Sequence, residues 1–242
     1  MQPPNVSLFA SLLLFSPPPA ATSAFDSYAR AVEARLDHNR RSPDSFLSSP
    51  ASLRSEDPII EQLTPPSADL PGALLHHWRG EAFAPGASAA DFERLLRDVD
   101  SYPRHFSPLV IQAQALTQEG DRMQTLIRVR QRNVITVVMD AAYDVTFGQL
   151  DAQHRYITSR STRISEIDPA HGEHGFLWRL NTYWSYAERD GGLYLQIETV
   201  SLSRSIPHGF GWLIQPWVVR IPRESLEFTL RCALKALRNS ER

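Results

Sequence analysis

The sequence predicts an α+β protein in which an antiparallel sheet is covered by a long C-terminal helix. Three observations carry this. Between Leu109 and Ser203, apolar and polar residues alternate in strand-length runs separated by turn residues. Arg189-Asp190-Gly191-Gly192, between two such runs, is a strong hairpin signal. Near the C-terminus Leu226, Leu230, Ala233, Leu234 and Leu237 repeat at i, i+4, i+7, i+8 and i+11, the stripe of a helix that needs a sheet face to cover it.

Composition narrows the function classes. The 242 residues are 42% apolar and 10% aromatic with a formal charge of −2, as expected of one globular domain with an appendage. So little net charge offers no field for a phosphate backbone or an anionic bilayer, and points away from nucleic acid toward a small-molecule or protein partner. Lys235 is the only lysine, so a P-loop is excluded and a Schiff base would have to form on the surface of the last helix. No G-x-G-x-x-G occurs. Cys232 is the sole cysteine, which rules out an intrachain disulfide or a cysteine-based zinc site and reads as an apolar filler.

The first 71 residues read as lying outside the fold. Val6 to Phe15 is a largely apolar run, followed by Pro17-Pro18-Pro19 and the small-residue stretch Ala20 to Ala24. That order matches a secretory signal over residues 1–24, although Met1 to Asn5 lacks the usual basic residue. The expected location is periplasmic or secreted, with Phe25 the first mature residue. Ten residues are too few for a stable transmembrane anchor. Asp26 to Arg41 follows as a short helix with Tyr28, Ala31, Val32 and Leu36 on one face. Ser42 to Pro71 holds 13 serines and prolines in 30 positions and reads as a linker, anchored at Ile59, Ile60 and Leu63. Residues 25–71 are thus expected to be removable, and residues 72–240 to form the domain.

Within that domain, Leu75 to Phe83 reads as a first strand ending at Pro85-Gly86. Ser88 caps a helix, because Asp91 follows three residues later and Phe92, Leu95, Leu96 and Val99 keep helical spacing. Strands then follow over 109–118, 123–139, 143–147, 154–164, 176–188 and 193–203. Ile206 to Pro216 reads as an aromatic loop, and Ile221-Pro222-Arg223-Glu224 as the opening of the last helix. The hairpin fixes parity: even residues of its first strand share a face with odd residues of its second. One face therefore carries Trp178, Leu180, Thr182, Trp184, Tyr186, Leu193, Leu195, Ile197, Thr199 and Ser201, and as the more apolar it should be covered. A bulge in either strand would break the assignment.

This order of elements, with Ala90-Asp91-Phe92-Glu93-Arg94-Leu95-Leu96 leading to Asp100-Ser101-Tyr102-Pro103 and with Ile221 to Leu237, resembles the START and Bet v 1 superfamily. That superfamily includes polyketide cyclase and dehydrase-like and lipid-transfer proteins. The resemblance covers about two-thirds of the chain. It implies a helix-grip fold, a curved antiparallel sheet wrapped around the C-terminal helix, with a cavity for a hydrophobic small molecule or lipid. The residues expected to line it are Tyr143, Thr182, Trp184, Ile197 and Thr199, with Trp212 or Trp217 near its mouth.

No catalytic signature accompanies this. His171-Gly172-Glu173-His174 lies in a loop rather than on a helix face and, like His76-His77, does not make a metal site. Glu198 falls on the more polar sheet face, where a surface pair with Arg179 or Arg204 is expected rather than a buried base beside Tyr183. No G-x-S-x-G elbow occurs. The expected function is binding or transport of a hydrophobic ligand in the cell envelope without a cofactor. A cyclase- or dehydrase-like enzyme using the same cavity and a protein-interaction domain are the alternatives.

Overall fold

The computed structural model describes residues 16–48, 57–64, 69–132, 136–167, 177–205 and 211–240, without the side chains of residues 69, 211–219 and 240. The elements run α1 (Pro19–Asn39), β1 (Ile59–Gln62), β2 (Asp69–Leu70), β3 (Ala73–Pro85), α2 (Ala89–Arg97), α3 (Tyr102–His105), β4 (Val110–Glu119), β5 (Arg122–Arg132), β6 (Thr136–Gln149), β7 (His154–Glu166), β8 (Leu177–Arg189), β9 (Gly192–Arg204) and α4 (Gly211–Ser240). The described strands form one nine-stranded sheet in the order β1-β3-β9-β8-β7-β6-β5-β4, with β2 beside β3. Every pairing is antiparallel.

Local chemistry accounts for the connections. The β8–β9 loop is Asp190-Gly191, closed by the Arg189–Gly192 pair, and both loop residues have positive φ, 54° and 77°. That is the mirror-image turn whose twist suits a hairpin and which Gly and Asp tolerate best. Ser88 and Asp91 form a reciprocal capping box, so the α2 start read from sequence is the one observed.

Two faces of the sheet bury separate cores. The concave face is gripped by α4: Trp184, Tyr186, Leu195 and Ile197 cluster with Leu226, Leu230, Ala233, Leu234 and Leu237 of the helix and with Phe92 and Leu96 of α2. Gly80 permits this approach, because a Cβ there would meet the Leu230 side chain at 2.6 Å and that of Ile197 at 3.3 Å. The helix-grip architecture expected from the sequence is thus the one found.

Three expectations are corrected. Helix α4 starts at Gly211, so Pro216 and Pro222 stand inside it and the expected Ile206 to Pro216 loop is helical from Gly211 onward. Residues 206–210 lie outside the described residues. Each proline forfeits one hydrogen bond and crowds the carbonyl four residues earlier, a local cost; extending a helix already anchored by Leu226 to Leu237 avoids the further cost of nucleating a new one.

The second correction concerns the N-terminal segment. Helix α1 begins at Pro19, not Asp26, and crosses the expected cleavage position between Ala24 and Phe25. Its buried stripe is Ala21, Phe25, Ala29, Val32 and Leu36, which packs against Leu75, Trp178, Tyr183, Val200 and Leu202 on the convex face. Ala31, placed on the stripe by the sequence reading, is exposed. Ile59 and Ile60 belong to β1, paired with Glu81 and Gly80 of β3. Among the described residues before Gly72, β1 and β2 therefore extend the sheet and α1 covers its back.

Third, a bulge between Leu177 and Arg179 shifts the register against β9. Parity holds from Leu180 to Arg189 but fails at Trp178, whose ring joins the convex cluster.

Candidate functional site

Along the concave face of β8 and β9 the environment changes from packed to polar. Trp184 and Ile197 are a cross-strand pair, 5% and 2% exposed, and Trp184 meets Phe92 edge to face at 5.0 Å between ring centroids. These two residues are tightly packed core. One rung further, Thr182 pairs with Thr199 and both are only half-buried. The next rung pairs Leu180 with Ser201.

Tyr143 lies on the same concave face but on β6, two strands from β8 in the sheet order, so the sequence-predicted set is not one tight cluster. At about 4.8 Å per strand this is a separation of roughly 10 Å. Tyr143 is half-buried, pairs with Thr125 of β5 and Ser161 of β7, and its phenol pKa is pushed up by burial. Trp212 and Trp217 fall within the backbone of α4, and their side chains lie outside the described residues. So does the whole His171 to His174 segment. Among the described residues no three His, Cys, Asp or Glu side chains gather as a metal site would require, and no described helix is long and apolar enough to cross a membrane.

Sequence reading missed the contribution of β3 to this face. β3 pairs with β9 so that Leu74 faces Ser203, His76 faces Ser201 and Trp78 faces Thr199, all on the concave side. His76, Trp78 and Ser203 are 6%, 7% and 8% exposed, yet His76 Nε2, Trp78 Nε1 and Ser203 Oγ have no hydrogen-bond partner among the described residues. Burial lowers the His76 pKa, which favours the neutral imidazole. The signal available in sequence was the alternation His76, Trp78, Gly80, Ala82 against an edge read simply as a first strand.

The convex face carries the residue considered as a possible base, and its environment is not the surface pair expected. Glu198 is fully buried and bonded to the guanidinium of Arg35 and to His77 Nε2 at 2.9 Å, while Tyr28 Oη lies 2.9 Å from His77 Nδ1. Because a carboxylate can only accept, His77 donates through Nε2; in the neutral imidazole its Nδ1 then accepts from Tyr28. Burial alone would raise the Glu198 pKa, but the bonds from His77 and Arg35 outweigh it and hold the carboxyl below its ordinary range. Nearby, Tyr183 donates to Glu33 at 3.0 Å and Arg160 to the same carboxylate at 2.7 Å. These contacts join α1 to the sheet and leave the Glu198 carboxylate without solvent exposure.

A depression of about 340 Å³ lies by the β4 edge of the sheet, lined by Pro103, Ile111, Gln112, Ala113, Gln114, Leu126 and the Arg128–Asp140 pair. The two Arg128–Asp140 bonds, 2.7 and 2.8 Å, satisfy both groups, so this groove offers no free charge to a ligand.

Neither a family model nor a curated protein matches the sequence. Solved structures do. TTHA0849 from Thermus thermophilus is 15% identical with a TM-score of 0.52, over 68% of this chain and 98% of that one. The Zhui aromatase/cyclase from a Streptomyces species is 15% identical with a TM-score of 0.51, over 69% and 96%. At this identity the likeness is one of fold: the chain has the helix-grip fold of the START and Bet v 1 superfamily.

Proposed function

We propose that the protein binds or carries an apolar small molecule or lipid against the concave face of the sheet, in the cell envelope. The observation that carries this reading is the passage from the packed Trp184–Ile197 rung to the half-buried Thr182–Thr199 rung. A face that is close-packed at one point and hydroxyl-lined and incompletely covered at the next has the composition of a ligand site, mostly apolar with a few placed polar groups. The helix-grip fold is compatible with it, and the half-buried Tyr143 extends the same face across the sheet. The envelope location rests on the apolar run Val6 to Phe15 and the small residues that follow it.

Native mass spectrometry of the protein isolated from its own host, followed by extraction and identification of small molecules, tests the reading. One or a few apolar compounds at near-stoichiometric amounts are expected. Protein that emerges free of such compounds, and that also fails to bind an added apolar dye saturably, would overturn it.

A further inference from the structure

Strand β4 ends the sheet, and among the described residues no strand pairs with its outer side. From Gln114 to Glu119 every residue is exposed, so a row of backbone N–H and C=O groups is left to solvent. Sheet edges are ordinarily protected by charges or proline, yet Leu109 to Gln118 contains neither. Two bulges lie in the strand, between Val110 and Gln112 and between Ala115 and Thr117, and the regular run Gln112 to Ala115 between them stays available for pairing. Beside this run the edge carries both a knob and a hollow. Leu116 is 48% exposed, and the depression of about 340 Å³ is lined by Ile111, Gln112, Ala113 and Gln114.

We infer that β4 pairs antiparallel with β4 of a second copy of this chain, about a two-fold axis at Gln114, and joins the two sheets into one. Residues opposite one another in a strand pair share a face, so such an axis passes through a residue rather than between two. At Gln114 it sets Ala113 against the partner's Ala115, and both pair with concave residues of β5. Each Gln114 amide meets its own copy, and an amide both donates and accepts. Leu116 falls opposite the partner's Gln112, over the depression, whose only charges, Arg128 and Asp140, are bonded to each other.

Charge selects a second copy over some other extended chain. The side chains of Glu119 at one end of the edge and Arg130 at the other have no bonded partner among the described residues. Both lie on the convex face, because Glu119 pairs with Arg122, which shares a face with Arg130 on β5. The axis sets Glu119 opposite the partner's Leu109, beside which Arg130 stands in the next strand, its N–H donating to the Leu109 carbonyl at 2.7 Å. Two strand spacings, roughly 10 Å, separate the backbones of glutamate and arginine, a gap their side chains bridge together. Each acidic end thus meets a basic end, twice by symmetry. The contact is small, at the low end of specific interfaces, so the dimer is weak.

Sedimentation velocity of the full chain from about 1 to 500 µM tests this, with a dimer dissociating at roughly 10–100 µM expected. Gln114→Lys and Gln114→Glu each set a charge against its own copy, and each should weaken association more than about tenfold while the melt stays cooperative. A one-to-one mixture of the two variants should associate again, because opposite charges then meet on the axis. A monomer throughout the range would overturn the inference and leave the edge to an extended segment of another protein. So would a dimer indifferent to the Gln114 changes, or a mixture no more associated than either variant alone. None of these outcomes touches the ligand reading, which concerns the concave face.

Discussion

The imidazole of His77 on β3 lies 2.9 Å from the carboxylate of Glu198 on β9, and the Arg35 guanidinium of α1 reaches the same oxygen. A strand pair and the helix across its back are thereby joined at one buried anion. Bonded to it or beside it are Tyr28 and Arg35 of α1, His77 of β3 and Gln196 of β9, with Arg79 opposite it on β3 and the charges of Glu81 and Arg40 within electrostatic reach. A carboxyl whose folded-state pKa lies below its unfolded value of about 4.3 gives its full stabilisation above that value. The contribution drains away as pH falls through it toward the lower folded value. Chemical denaturation between pH 7 and pH 3 should therefore show a stability loss below about pH 4.5 that is shallower in Glu198→Gln. At neutral pH that variant should be less stable by about 3 kcal/mol, since the buried partners lose their anion. Identical acid limbs in the two proteins would show that Glu198 is not the group responsible.

Phe25 is 2% exposed between α1 and the convex core, so the helix is structural. Phe25→Ala should cost about 3–5 kcal/mol in denaturant unfolding, the range for truncating a packed aromatic. Removing residues 1–40 should expose the Trp178, Val200 and Leu202 patch and abolish a single cooperative melt. A truncated chain that melted as sharply as the full one would return α1 to the status of an appendage.

Gly80 and Leu230 are expected to be coupled. Gly80→Ala places a methyl 2.6 Å from the Leu230 tip, with Ile60 at 3.1 Å leaving little room to yield, so a loss of about 1–3 kcal/mol should follow. In the double variant with Leu230→Ala the added methyl meets no leucine, and the combined loss should fall short of the sum. Strict additivity in a thermal or urea double-mutant cycle would mean that the helix rides further from β3 than the structure has it.

The elements that formed locally were legible in the sequence: the α2 capping box, the Asp190-Gly191 hairpin and the Leu226 to Leu237 stripe each contain their own cause within a few residues. What could not be read depended on contacts distant in the chain. Trp178 changed faces because of one extra residue in β8, and no local signal marks a bulge of this kind. Glu198 looked like a surface group because α1, whose Arg35 lies 163 residues earlier, was read as an appendage; serines and prolines after Asn39 marked a linker and hid that the helix before it returns to the sheet. His76 and Trp78 passed as ordinary strand residues, since only the pairing with Ser201 and Thr199 shows which way they face.

Export has its own outcome. If the chain is processed after Ala24, intact mass from the native host should correspond to a protein starting at Phe25, with α1 shortened but Phe25, Ala29, Val32 and Leu36 still available to the convex core. A full-length mass in the cytoplasmic fraction would contradict an envelope location.

Ligand occupancy beside the Thr182–Thr199 rung is tested most directly by filling that space. Nile red should bind the full chain saturably at one site, and Thr199→Phe should weaken it by roughly tenfold or more while the variant keeps a cooperative melt. Binding of equal strength in a folded Thr199→Phe protein, or none that saturates in wild type, would contradict a ligand on the concave face.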